Sequence, residues 1–239
     1  NSMKSSFGGS AWEWCESRQQ YYLHQYAVKQ PDLNWDNPQL RHALYDMMNR
    51  WIDRGISGFR LDVIDCIAKE PDREITVEGS NLHKYIREMR AALHGGAELM
   101  TVGEVWSADA EKAKEWTNPD GSELSMVFLL EPFTLDQVGN NKFLPAPLKL
   151  TELKDVIRNW QQKLYGKGWC GLAWENHDLP RIVSRWGSDG KYRGQSAKML
   201  AIILYGLQGT PFLYQGEELG MTNPSYSFDE YQDIETINL

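Results

Sequence analysis

Gly58-Phe59-Arg60-Leu61-Asp62-Val63 is a short apolar run that closes on a carboxylate. Two further stretches repeat the pattern: Met100-Thr101-Val102-Gly103-Glu104-Val105, and Trp174-Glu175-Asn176-His177-Asp178 at the end of the run 170–174. Short apolar runs of this kind read as buried strands of a parallel sheet. All three acids then project from the same, carboxyl end of one sheet, where α/β folds carry their catalytic groups. A single acid at a strand end is usually a helix cap or a salt-bridge partner. Three in one topological position point to chemistry. Paired carboxylates at a shared rim are what glycosidic cleavage requires, one attacking or stabilising the sugar carbon and the other protonating the leaving oxygen.

The pattern continues on both sides. Strands are expected at 59–64, 99–105, 125–130, 170–174 and 210–214, with helices at 83–93, 107–116, 152–164 and 193–207. Upstream, Asp36-Asn37-Pro38 reads as an Asx cap with proline in the first helical turn. Leu40, Leu44, Met47, Met48 and Trp51 follow at helical spacing, and Gly55 ends the segment. Residues 1–35 read as aromatic-rich and irregular. Strands alternating with helices imply right-handed βαβ units, hence the α/β class and a parallel sheet. A closed (β/α)8 barrel takes about 250 residues and eight strands. With five strands visible, an open doubly wound sheet and a part of a barrel both fit.

Composition narrows the function classes. The chain has 239 residues, 41% hydrophobic and 24% charged, which is ordinary for a globular protein. A net charge of -8 speaks against nucleic acid or an anionic membrane as partner. No apolar run reaches the roughly 18–20 residues a bilayer span needs, and no signal peptide is expected. Cys15, Cys66 and Cys170 are odd in number and form no Cys-x-x-Cys pair, so reduced thiols, no metal, no cofactor and a cytoplasmic location are expected. Dinucleotide, P-loop, metalloprotease and serine-hydrolase motifs are not found in the sequence. Most of the ten tryptophans are expected in the core, the rest along a sugar cleft.

Two neighbours sharpen the pattern. Arg60 lies two residues before Asp62 and so shares its face of the strand. It is placed either to keep that carboxylate ionised or to form a structural ion pair. His177 adjoins Asp178 and is suited to donate to a sugar hydroxyl. Gln215-Gly216-Glu217-Glu218 reads as a turn and helix cap.

At this point the motifs resemble a known family. Gly58-Phe-Arg-Leu-Asp-Val, Val102-Gly-Glu and Asn176-His-Asp resemble three signature regions of the α-amylase superfamily, glycoside hydrolase family 13. Gln30-Pro-Asp-Leu-Asn34 resembles the further region that marks its oligo-1,6-glucosidase branch. Ala197-Lys-Met-Leu-Ala, Gly209-Thr-Pro-Phe-Leu-Tyr-Gln-Gly-Glu-Glu and Asp233-Ile-Glu-Thr-Ile-Asn238 are similar to oligo-1,6-glucosidases, dextran glucosidases and trehalose-6-phosphate hydrolases. The resemblance implies a retaining α-glucosidase with Asp62 as nucleophile, Glu104 as acid/base and Asp178 as the acid that binds ring hydroxyls. It implies substrate binding by Arg60 and His177, and Glu104 protonated at working pH. Val63 resembles branch members that prefer α-1,6 bonds, where α-1,4-preferring relatives tend to have Thr; β-propensity alone also suits Val there.

The same resemblance implies a (β/α)8 TIM-barrel type fold of which the last five βα units are present. Residues 1–35 then correspond to the end of the excursion after the third barrel strand, and residues 36–239 to the second half of the catalytic barrel. The family's Asp-x-x-x-Asn-His signature is not found here. Unpaired sheet edges imply pairing with a complementary barrel segment or self-association. Cleavage by the isolated chain and inactivity of an incomplete piece both stay open. So do two other readings, a trehalose-6-phosphate hydrolase and a non-catalytic amylase-fold subunit.

Overall fold

The computed structural model describes residues 2–139 and 141–238; residues 1 and 239, the outer limits of the two expected segments, lie outside them. An antiparallel hairpin opens the chain, β1 (Trp12–Cys15) against β2 (Gln20–Leu23), with Trp12 opposite Leu23. This corrects the expectation that 1–35 is irregular. Neither four-residue strand buries alternate residues, so neither carries the period-2 signal that marks a strand in sequence.

Helix α1 (Pro38–Ile52) begins where the Asx-Pro signal places it. Asn37 Oδ1 accepts the Gln39 N–H at 2.9 Å, and Pro38 occupies the first turn. Its buried face is Arg41, Tyr45 and Met48, while Met47 and Trp51 stay exposed. Arg41 tolerates burial because its guanidinium bonds Glu88 at 2.9 Å and lies 4.6 Å over the Tyr85 ring.

Strands and helices then alternate: β3 (Gly58–Leu61), α2 (Leu82–Ala92), β4 (Met100–Gly103), α3 (Lys112–Trp116), β5 (Met126–Phe128), a hairpin of β6 (Gln137–Val138) and β7 (Asn141–Pro145), α4 (Leu150–Leu164), β8 (Cys170–Leu172), α5 (Ile182–Trp186), α6 (Arg193–Gly206), β9 (Thr210–Pro211) and α7 (Ile234–Asn238). Strands β3, β4, β5, β8 and β9 form one parallel five-stranded sheet in that order. Arg60 lies opposite Val102, Val102 opposite Met126, Phe128 opposite Gly171 and Gly171 opposite Thr210. The architecture is a partial (β/α) barrel.

Every expected strand of this sheet is present, but each stops short of its apolar run. The chain leaves the ladder early to build the site loops, and Ile64–Cys66 is already a 3-10 turn. The helix expected at 107–116 covers only its last five residues. Asp109 Oδ1 accepts the N–H groups of Glu111 and Lys112 at 2.8 and 2.9 Å, so a side-chain turn replaces the first helical turns. The β6–β7 hairpin and α5 were not expected, each being too short to show a period.

The core lies between sheet and helices. Trp116 and Trp160 are fully buried there, and the Trp160 indole satisfies its N–H on Glu131 Oε2 at 2.6 Å. On the sheet, a Cβ at Gly171 would stand 3.0 Å from Phe128 and 3.1 Å from Phe212, whose rings meet edge to face at 4.9 Å. A side chain there would push the rings apart by a few tenths of an ångström. Helix α6 buries Leu200 and Leu204 yet exposes Met199, Ile202, Ile203 and Tyr205. Among the described residues no helix is long and apolar enough to cross a membrane.

Candidate active site

Strands β3 and β4 run side by side and end at the same height, with Leu61 opposite Gly103. The Glu104 N–H extends the ladder by one bond to Leu61 O at 2.9 Å, so Asp62 and Glu104 leave the sheet as neighbours. Arg60 joins them. One terminal nitrogen bonds Asp62 Oδ1 and the other bonds Glu104 Oε2 at 2.7 Å. The two sequence alternatives for Arg60 are thus met at once, since it pairs with Asp62 and with a second barrel acid.

The two carboxylates sit in different surroundings. Glu104 is 4% exposed and also accepts the Val63 N–H at 3.1 Å and the Trp106 indole N–H at 3.0 Å. The Asp62 side chain is 73% exposed. A sheltered acid beside an accessible one is how two like groups are given separate tasks. Val63 between them has φ 35° and ψ 48°, left-handed values that a β-branched residue rarely adopts. Such strain costs of order 1–3 kcal/mol and persists where surrounding contacts hold it. Here the bond from Val63 N–H to Glu104 Oε2 holds it, and it turns the chain sharply after Asp62.

Asp178 arrives from β8. Buried Trp174 is pinned by its indole N–H on Leu200 O at 2.9 Å. Buried Glu175 accepts the Ile182 N–H at 2.6 Å and Arg181 Nη1 at 2.7 Å, fixing the start of α5. Between these anchors Asn176 Oδ1 accepts the Asp178 N–H at 2.8 Å, an Asx turn that projects His177 and Asp178 outward. His177 Nε2 then pairs with Asp178 Oδ2 at 3.0 Å.

Asp62, Val63, Glu104, His177 and Asp178 all line one cleft of about 960 Å³. Arg60 completes the sequence-derived set by bonding two of its acids. Tyr26, Trp106, Phe143, Leu144 and the pair Lys142–Glu235 line it too and were missed. Trp106 stands two residues after Glu104, but in the turn beyond β4, where no strand period marks it. Tyr26 lies in the segment expected to be irregular, and burial pushes its hydroxyl far above the usual range, helped by Cys66 and Asp65. The others ride on the short β7 and α7. Among the described lining residues the acids Asp62, Glu104, Asp178 and Glu235 face a single lysine, so the cleft is acidic.

The sequence as a whole matches the family described as "Alpha amylase, catalytic domain" over residues 1–238. The chain belongs to the α-amylase catalytic-domain family. Glucan 1,6-alpha-glucosidase of Streptococcus pneumoniae is 51% identical over 242 residues, covering 100% of this chain and 45% of that protein. Oligo-1,6-glucosidase of Bacillus cereus is 46% identical over 254 residues, covering 100% and 46%. A crystal structure of Bacillus licheniformis trehalose-6-phosphate hydrolase, a mutant form, superposes with a TM-score of 0.92 at 44% identity, covering 99% of this chain and 45% of that one. The chain therefore spans about 45% of the length of the relatives it matches.

Behind the Asp178 loop this α-amylase-type domain holds a second acid cluster. Burial pushes the Glu217 carboxyl up from 4.5 to about 7; nearby Glu175 adds to the rise, while the Tyr214 N–H and Arg181 oppose it. A carboxyl whose folded pKa is raised favours the folded state when protonated. Its contribution is complete below about 4.5 and is lost as pH rises toward 7. Glu217→Gln should remove that dependence. Melting temperatures recorded from pH 5 to 8 should fall less steeply for the variant, and parallel curves would refute the buried acid.

Proposed function

We propose that this chain carries the catalytic residues of a retaining α-glucosidase acting on terminal α-1,6 bonds, and more weakly on α-1,4 bonds, of short oligosaccharides. The observation that carries this reading is the Arg60 bridge between Asp62 and Glu104. It holds two acids on one guanidinium, in keeping with the roughly 5–5.5 Å carboxyl separation of a retaining pair. Asp62 attacks the anomeric carbon while Glu104 gives its proton to the leaving oxygen. A covalent glucosyl–Asp62 ester forms, and water activated by Glu104 then hydrolyses it. Asp178 and His177 accept and donate hydrogen bonds to ring hydroxyls, and Arg60 orients both acids.

Charge separates this reading from a trehalose-6-phosphate hydrolase. A phosphate calls for unpaired cations. The one lysine among the described cleft residues is already spent on Glu235 at 2.5 Å. Glucose release from isomaltose, maltose and trehalose 6-phosphate, assayed side by side, tests the assignment. Isomaltose should be cleaved fastest; cleavage of the phosphorylated sugar with none of isomaltose would overturn it.

Val63 lines the cleft directly after the nucleophile. Val63→Thr adds a hydroxyl there and is expected to shift the ratio of α-1,4 to α-1,6 cleavage several-fold toward α-1,4. An unchanged ratio of maltose to isomaltose hydrolysis would remove Val63 from the specificity argument.

Exposed apolar residues along α6, and the β3 and β9 edges, support association with a complementary barrel segment or with a second copy. A cytoplasmic site of action is part of the same proposal. It rests on three free thiols, of which burial pushes Cys66 and Cys170 up to about 12.

A further inference from the structure

The loops that follow the two paired acids are joined by a closed polar ring that contains neither acid. Asp65 stands three residues after Asp62, and Ser107 stands three residues after Glu104. Asp65 is buried, and its Oδ2 accepts the Ser107 N–H at 3.1 Å and the Ser107 hydroxyl at 2.8 Å. The Ser107 carbonyl accepts Lys112 Nζ at 3.2 Å, and the same ammonium pairs with Glu78 at 2.7 Å. The Glu78 N–H donates to Asp65 O at 2.9 Å and closes the ring. Glu78 takes its place with a left-handed φ of 53°, a strained conformation that these bonds hold.

The ring fixes the residue next to Ser107. Trp106 is 42% exposed, so packing on the core does not settle where its indole sits. Its N–H nevertheless donates to Glu104 Oε1 at 3.0 Å, while Oε2 takes the Arg60 guanidinium and the Val63 N–H. A carboxylate offers roughly four lone-pair sites, and the described residues occupy three of them. The fourth lies on Oε1, beside the indole. That is the place left for a proton to be handed to a leaving group, and the indole sets its direction.

We propose that Asp65 is a positioning residue for this proton transfer. By gripping Ser107 it keeps the Trp106 indole on Glu104 Oε1, which aims the open site of that oxygen at the glycosidic oxygen. Asp65 itself touches neither substrate nor reacting atoms. The inference rests on the glucosidase reading and adds to it the group that orients the acid.

Asp65→Ala, Asp65→Asn and Ser107→Ala in the complete enzyme test this, by kcat/KM on isomaltose and on an aryl α-glucoside whose phenol leaves unprotonated. A fold that is merely weakened slows both substrates alike, whereas a misdirected acid slows isomaltose alone. Asp65→Ala should cost isomaltose at least about tenfold and the aryl glucoside no more than about threefold. Ser107→Ala removes one of the two bonds to Asp65 and should cost isomaltose about threefold. In Asp65→Asn the amide oxygen accepts both Ser107 donors and the NH2 faces the Cys66 sulfur, so isomaltose cleavage should return to within about threefold of the starting enzyme.

Indole nitrogens labelled with 15N report the geometry directly, with the Trp106 resonance assigned by Trp106→Phe. The Trp106 N–H should exchange with solvent faster in Asp65→Ala and in Ser107→Ala, and at the original rate in Asp65→Asn. Should Asp65→Ala fail to fold, Ser107→Ala carries the same comparison. An indole that exchanges no faster overturns the proposal whatever the rates. Equal fractional losses on the two substrates also overturn it and leave the glucosidase reading standing. An enzyme that cleaves no glucoside, yet whose Trp106 indole is released by these changes, would remove that reading and uphold the grip of Asp65 on Trp106.

Discussion

Asp62→Asn, made in the complete enzyme of the glucosidase proposed above, should lower kcat for isomaltose by at least about three orders of magnitude, a barrier increase of about 4 kcal/mol. The amide matches the carboxylate in size, so the fold and the cleft should persist. It is a far weaker nucleophile, and it removes the charge that Arg60 pairs with at this position. Because the Asp62 side chain is mostly exposed, the change carries little cost in stability. The decisive comparison is kcat against KM, with the melting temperature as a control. A loss confined to kcat at unchanged melting temperature identifies the nucleophile. A variant that keeps a tenth of its activity would sink the assignment.

On the same proposal, Glu104→Gln in the complete enzyme should cost a similar factor for isomaltose but behave differently in two respects. Its first signature is chemical. A substrate with an aryl leaving group departs without protonation, so its glucosylation step should lose far less than that of isomaltose. Its second signature is structural. Glu104 accepts two N–H groups at Oε2, from Arg60 and Val63, and one at Oε1, from Trp106. An amide has a single acceptor oxygen, so whichever way it is placed its NH2 faces a donor. A buried group left unsatisfied costs about 1–3 kcal/mol. Urea titration should show that loss for Glu104→Gln and not for Asp62→Asn. Equal rate losses on both leaving groups would falsify the proton-donor role.

These two expectations draw on different layers of information. Asp62, Glu104 and Asp178 could be named from sequence because each follows a short apolar run, and a parallel sheet sends the ends of such runs to one rim. Arg60 followed from the two-residue period of a strand, and the structure confirms that it shares a face with Asp62. Trp106 lies beyond the end of β4, in a turn where that period no longer holds. Tyr26, Lys142, Phe143, Leu144 and Glu235 could not be reached that way, because the bend after β2, the short β7 and the short α7 that carry them lack a period of their own. Their places are set by contacts distant in the chain, such as the bond between Lys142 and Glu235.

By itself the sequence determined the α/β class, the alternation of strands with helices and the capped start of α1, and it singled out the three acids with Arg60 and His177 as candidates. These are local matters, decided by periodicity, capping chemistry and the direction of side chains along a strand. Tertiary structure alone decided that Glu104 is sheltered while Asp62 is open, and that Val63 is held in a left-handed turn by an acid 41 residues away. Burial and hydrogen-bond partnership are sums over neighbours that only the folded chain brings together, so no window of sequence contains them.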